Sequence, residues 1–444
     1  VVGVGGAGMS ALASVLATMG HEVTGSDLRA SATTARLEAE GIPVAVGHSA
    51  DHLGSAEVVT ASPAVPAANP ELAEAHRRGL TVLTRAETLA GVTALRRAIA
   101  VAGTHGKTTT ASMLALVLVE AGLRPSFVIG GDLSQVGTNA VWDRGEWLVV
   151  EADESDASFL SLEPEVAVVT NVEPDHLDHY GGLAALHESF ERFATSARHV
   201  TVGGDDEVAA AISRRRGGDL VGTDPSCTHR IVGLETGRSS VRFDLAFPGG
   251  GAPLRLEVPV PGAHNARNAA VATVAARVAG ASGEAAAAAL ARFGGVARRF
   301  EFRGTAAGVT LVDDYGHLPG EVQAVLAAAR DGDWQRVVAV FQPHRYSRTA
   351  ALGRDFGPAF GDADVVVVTD VYAAGENPIP GVSGRVVAEA VQEAAPRRTV
   401  HYLPDRAGLA RSVAGLLRPG DLCLTLGAGD LTALPDELIR ELAG

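Results

Sequence analysis

The chain has 444 residues, of which 46% are hydrophobic and 20% charged, with a formal net charge of -15. That length exceeds one hydrophobic core and suggests about three domains, and the composition excludes a disordered chain. The acidic balance excludes a general nucleic-acid binder, and only two cysteines, Cys227 and Cys423, exclude a disulfide scaffold or a cysteine metal site.

The expected elements run in α/β order. A strand over 1–4, a helix over 9–19 and strands over 22–25, 44–46, 58–61 and 81–83 give the rhythm of a parallel sheet flanked by helices. Because the chain opens inside a strand, native residues are expected to precede Val1. The polar stretch 85–97 reads as a boundary. A second unit begins with a strand over 98–102, a glycine-rich loop and a helix from 108 to about 121, with further strands over 147–150, 166–170 and 199–202. Residues 231–260 read as an antiparallel hairpin region, and helices over 265–279 and 284–291 close the unit. A third unit follows, with strands over 310–313, 337–341, 365–369, 400–402 and 422–426 in another doubly wound sheet. The expected domains are therefore 1–97, 98–297 and 298–444. No apolar run approaches the roughly 18 residues of a membrane span and no leader segment opens the chain, so the expectation is a soluble cytoplasmic enzyme.

Three motifs carry chemistry. Gly3-Val4-Gly5-Gly6-Ala7-Gly8 follows a strand, opens a helix and is followed by Asp27 at the end of the next strand, a geometry that turns backbone amides toward a diphosphate. The pattern does not distinguish NAD from a UDP-sugar. Gly103-Thr104-His105-Gly106-Lys107-Thr108-Thr109 lacks the first glycine of a strict phosphate-loop pattern, where Val101 stands, but keeps its physics: glycines turn amides toward phosphate, Lys107 reaches the terminal phosphates and Thr108 can ligate Mg²⁺. Lys107 is the one lysine among 37 basic residues. Arginine's planar fork cannot replace a compact ammonium inside such a loop, and this marks an ATP site. The third motif is acidic. Glu151-Ala152-Asp153-Glu154-Ser155-Asp156 and Asn171-Val172-Glu173-Pro174-Asp175-His176 each follow an apolar strand, where a metal ligand or catalytic carboxylate would sit; His176 reads equally as a ligand or as a hydrogen-bonded loop residue.

With these motifs stand His264-Asn265-Ala266-Arg267-Asn268, Arg298-Arg299-Phe300-Glu301, Asp313-Asp314-Tyr315-Gly316-His317, Gln342-Pro343-His344-Arg345-Tyr346-Ser347-Arg348-Thr349 and Gly427-Ala428-Gly429-Asp430. In this order, across essentially the whole chain, they resemble the Mur ligase family, and specifically the member that adds the first amino acid in peptidoglycan synthesis. The resemblance implies three α/β domains: a Rossmann-like UDP-binding domain, a P-loop ATPase-like central domain with a mixed sheet, and a Rossmann-like C-terminal domain that closes over the site. It implies ATP and Mg²⁺ as cofactors, UDP-N-acetylmuramate and L-alanine as substrates, and a monomer or homodimer. Gly5, Gly6, Ala7, Gly8, Met9, Ser10 and Asp27 would bind the UDP-sugar, which resolves the NAD alternative. Gly103, Thr104, His105, Gly106, Lys107, Thr108 and Thr109 would bind ATP, with Thr108, Glu151 and His176 placing Mg²⁺. Asn265 and Asn268 would lie on the adenine side, Arg299 on phosphate and Asp314 on ribose. His344, Arg345 and Arg348 would meet carboxylate and phosphoryl groups. The family's usual Asp-Asp-Tyr-Gly-His-His-Pro-Thr-Glu departs here at Leu318 and Gly320.

Overall fold

The strand Arg97–Ala102 alternates alanine with isoleucine and valine, and every residue but Arg97 is buried. Strands covered on both faces read as such continuous apolar runs because helices lie above and below them. In a computed structural model, which describes residues 1–133 and 135–443, this strand lies inside a ten-stranded sheet. The sheet order is Leu254–Val258, Val241–Ala246, His229–Thr236, Asp219–Gly222, His199–Gly203, Val166–Val169, Arg97–Ala102, Trp147–Glu151, Ser126–Leu133 and Thr138–Val141. Arg97–Ala102 pairs in parallel with both neighbours, in a register that sets Val101 opposite Glu151 and Ala102 opposite Val169. The loops that follow these three strands therefore leave the sheet side by side at its carboxyl edge, where open α/β sheets bind ligands.

The described residues form two compact units. One comprises Val1–Val232, Asp244–Leu256 and Arg267–Phe293; the other comprises Gly233–Phe243, Glu257–Ala266 and Gly294–Gly444. In the first unit a smaller parallel arrangement precedes the large sheet. Val2 bridges Ser26 on one side and Ala61 on the other, joining the pair Gly25–Asp27 and Val44–Val46 to the pair Val58–Ala61 and Thr81–Thr84. The strand expected at 22–25 thus lies at Gly25–Asp27, because pairing of Gly25 with Val44 fixes its position. The polar stretch expected to be a boundary contains the helix Arg85–Thr93, started by a capping box in which Thr84 and Glu87 exchange hydrogen bonds. The helix Ala7–Thr18 turns Ala11, Leu12 and Val15 against Val128, Ala140 and Leu148 of the large sheet. Burial of a leucine or valine side chain is worth about 1.5–3 kcal/mol, so this contact fixes the first glycine loop relative to the second.

The other unit holds a six-stranded sheet in the order Glu301–Ala306, Val309–Asp314, Asp421–Leu426, Arg336–Phe341, Val365–Val368 and Thr399–Tyr402. Glu301–Ala306, which the sequence pattern does not suggest, adds an antiparallel edge to an otherwise parallel sheet.

Candidate active site

Gly103 and Gly106 make the second glycine loop possible. Gly103 has φ +137°, and a Cβ there would fall 2.0 Å from Thr170 Oγ1; Gly106 has φ +79°, and a Cβ would fall 2.6 Å from Asn268 Oδ1. Only glycine meets both the backbone angle and the close approach. The loop is pinned from the neighbouring strand's end: the His105 amide donates to Asn171 Oδ1 at 2.9 Å, and Thr104 exchanges hydrogen bonds with Glu173. Gly106 then releases the chain into the helix Lys107–Glu120, whose first turn contains Thr108 and Thr109.

Lys107 is held by three oxygens. Its Nζ donates to Gly103 O at 2.6 Å, to Thr104 O at 3.3 Å and to Glu154 Oε1 at 2.8 Å. Burial works against its charge, but Glu154, followed by Glu151 and Asp153, outweighs that cost and raises its pKa. The acidic loop that supplies these groups is anchored by Phe159, fully buried against Phe190 and Phe193 with ring centroids 5.3 and 5.1 Å apart. Tyr180 adds a hydrogen bond to the Glu154 carbonyl.

Thr108 Oγ1 donates to Glu151 Oε1 at 3.0 Å, and the other Glu151 oxygen accepts the Gly130 amide at 2.7 Å. A hydroxyl and a carboxylate in contact at the start of the loop's helix are hard oxygen donors suited to Mg²⁺. His176 has φ +51°, its amide donates to Asp175 Oδ1 at 2.8 Å and its Nε2 faces Asp175 Oδ2 at 3.1 Å. Asn268 packs against Gly106, whereas Asn265, on the same helix Ala263–Val278, donates to Pro261 O at 2.7 Å.

The first glycine loop is built differently. Gly3 has φ +79°, and the Gly5 amide donates to Asp27 Oδ2 at 2.8 Å. Gly6 caps the helix Ala7–Thr18 without a side-chain hydrogen bond, and the first turn carries no acidic residue. Gly8 faces the side chain of Arg85. Met9 and Ser10, expected at the UDP-sugar, are buried, and Ser10 Oγ donates to Ala7 O. Arg85 itself went unread in the sequence because it sits 77 positions beyond Gly8; the Thr84–Glu87 capping box was the available signal.

In the other unit Asp314 is buried and accepts the Phe300 and Gly316 amides, each at 2.7 Å. Burial pushes its carboxyl up to about 6 despite the nearby Arg299 guanidinium. Arg299 lies 3.5 Å from Glu321. His344 is pushed down to about 4 by burial and by the positive potential of His317, Arg348 and Arg345, so it is neutral at physiological pH. As a neutral ring its Nδ1 accepts from Arg348 Nη1 at 3.3 Å. Arg345 has φ +70°, a conformation held by its amide's hydrogen bond to Tyr372 O and by the return bond from the Tyr372 amide to Pro343 O, both 2.8 Å. The His344 and Tyr372 rings stack 5.7 Å apart.

Three family models match the chain: Mur ligase family, catalytic domain, over residues 1–97; Mur ligase middle domain, over 101–276; and Mur ligase, glutamate ligase domain, over 298–429. The UDP-N-acetylmuramate–L-alanine ligase of Rubrobacter xylanophilus is 46% identical over 452 residues, covering 100% of this chain and 99% of that protein. The enzyme of the same name from Saccharopolyspora erythraea is 47% identical, covering 100% and 92%. Among solved structures, the UDP-N-acetylmuramate-alanine ligase of Thermotoga maritima superposes with a TM-score of 0.84 at 28% identity, covering 99% of this chain and 97% of that one. No helix among the described residues is long and apolar enough to cross a membrane.

Proposed function

The chain belongs to the Mur ligase family, and from that premise we propose that it joins L-alanine to the lactyl carboxylate of UDP-N-acetylmuramate in the cytoplasm, with hydrolysis of ATP to ADP and phosphate. The observation that carries this reading is the one lysine of the chain, held in a glycine loop by Glu154 and followed at once by the Thr108–Glu151 oxygen pair. A carboxylate is a poor acyl donor. Transfer of the γ-phosphoryl group to its oxygen, with ADP leaving, converts it to an acyl phosphate; the amine of L-alanine then attacks the acyl carbon and expels phosphate.

In such phosphoryl transfers the protein's work is positioning and charge stabilisation. Lys107, kept in place by Glu154, presents its ammonium to the phosphate oxygens and offsets the repulsion between two anionic substrates, while the loop amides beside Gly103 and Gly106 orient the phosphate chain. Thr108, Glu151 and His176 would hold Mg²⁺, which would neutralise phosphate charge when bound, with the pairing of His176 to Asp175 orienting its ring. Asn268 supports the adenine side of the loop from the same helix as Asn265. Asp314 accepts from ribose, and Arg299 serves the phosphates. Arg345 and Arg348 take the carboxylate of L-alanine or the phosphoryl group, with neutral His344 orienting Arg348.

The test is phosphate release with UDP-N-acetylmuramate and ATP while the acceptor is varied. Release that requires L-alanine supports the reading; release with a tripeptide and none with L-alanine identifies a peptide-recycling ligase instead; release with neither overturns the ligase assignment.

A further inference from the structure

Arg85 opens the helix Arg85–Thr93, outside every motif read in the sequence, yet it touches both the first glycine loop and the acidic loop of the first unit. Its Nη1 lies 3.1 Å, and its Cδ 3.4 Å, from the position a Cβ would take on Gly8. Its Nη2 lies 3.1 Å from Asp153 Oδ2 and 3.4 Å from Asp156 Oδ2. Asp153 adjoins Glu154, the carboxylate that holds Lys107. One guanidinium therefore spans from the first glycine loop to the acidic loop beside the second.

These ion pairs are poor candidates for structural support. The Arg85 side chain is 24% exposed and its two partners 35% and 38%, and ion pairs this accessible to water contribute only about 0–1 kcal/mol. The contact between the small parallel arrangement and the large sheet already has its own apolar core in Leu12, Val15, Val92 and Leu148. A cation placed against a diphosphate-binding turn, with weakly held carboxylates as partners, can exchange them for another anion at little cost.

We infer that Arg85 is a binding residue for an anionic group of the UDP-sugar, taking that group in place of Asp153 and Asp156. The inference rests on the function proposed above. The diphosphate and the lactyl carboxylate present the same chemistry, two oxygens matched by the guanidinium fork. The aspartates are then internal competitors for the substrate anion.

The experiment is calorimetric binding of UDP-N-acetylmuramate and of UDP, without ATP, to wild type, Arg85→Ala, Arg85→Lys and Asp156→Asn, with ADP binding measured on each. Arg85→Ala should weaken UDP-N-acetylmuramate binding about 10–100-fold, the loss of one charge-assisted contact, with ADP affinity unchanged. Arg85→Lys should recover part of the loss. Asp156→Asn should tighten binding a few-fold, because it removes a competitor. Loss for both ligands assigns the diphosphate; loss for UDP-N-acetylmuramate alone assigns the carboxylate. A structural brace would move Arg85→Ala and Asp156→Asn in the same direction, and that result, or Arg85→Ala binding within twofold of wild type, overturns the inference while leaving the proposed function standing. Wild-type protein that binds neither ligand overturns both.

Discussion

The two glycine loops of the first unit answer the same geometric problem with different chemistry. Each leaves the carboxyl end of a parallel-paired residue, Val2 in one case and Ala102 in the other, and each delivers the chain into a helix. Each also needs glycine at positive φ, +79° at Gly3 and at Gly106. The first loop contains no charged side chain; the Gly5 amide is taken by Asp27, and a cation, Arg85, is brought to Gly8 from a distant helix. The second loop carries its own ammonium, buries it against Glu154 and sets a hydroxyl–carboxylate pair beside it. An anchoring site for a diphosphate needs oriented amides and a cation that can exchange partners. A site where a phosphoryl group changes hands needs a compact charge fixed before the substrate arrives, since a group already in place costs no reorganisation during reaction.

The sharpest way to break this contrast is Lys107→Arg. Charge is kept, but the fork does not fit among the Gly103 and Thr104 carbonyls, and turnover measured by phosphate release should fall at least about 10²–10³-fold. UDP binding should be unchanged. Near-normal turnover would mean that the second loop, like the first, asks only for a positive charge nearby.

Glu151→Ala comes next. The Mg²⁺ concentration for half-maximal activity should rise about 10–100-fold, by analogy with other losses around metal sites, whereas Glu154→Gln should alter the KM for ATP through Lys107 with little change in Mg²⁺ requirement. A metal requirement that follows Glu154 instead would reverse the two carboxylates' roles.

The smallest effects come from the glycines. Gly106→Ala forces a side chain into left-handed backbone and within 2.6 Å of Asn268 Oδ1, and should cost about 1–2 kcal/mol of stability from the backbone alone. Gly6→Ala meets only the Gly3 carbonyl at 3.9 Å and should cost less than about 1 kcal/mol, the difference between helix-capping residues. Thermal unfolding of the two variants side by side measures the difference; equal losses would show that the loops are equally constrained.

Much of this was legible from the chain. The strands Arg97–Ala102, Val166–Val169 and Val365–Val368 are continuous apolar runs, and their burial follows directly from that pattern. Thr138–Val141 and Glu301–Ala306 were not, because an edge strand is partly exposed and here interrupted by asparagine or glycine, and Ser126–Leu133 was not, because Gly130 and Gly131 break its buried apolar run, so pairing partners rather than their own residues specify all three.

By itself the sequence determined the α/β class and the two strand–glycine–helix turns and singled out the one lysine of the second turn, since glycine spacing and a lone lysine act through local backbone geometry and charge. Only the tertiary structure decided which carboxylate serves which group. Glu151 and Glu154 are three residues apart in the same acidic run, and nothing in the sequence alone distinguishes them. The parallel register that sets Glu151 opposite Val101 brings it to Thr108, while the turn that follows, held by Phe159 and Tyr180, carries Glu154 back to Lys107. The same holds for Arg85, which reaches Gly8 and Asp153 only because the helix that carries it is packed between two sheets' worth of chain. Side-chain partnerships across such distances are fixed by packing, because no local propensity extends that far along the chain.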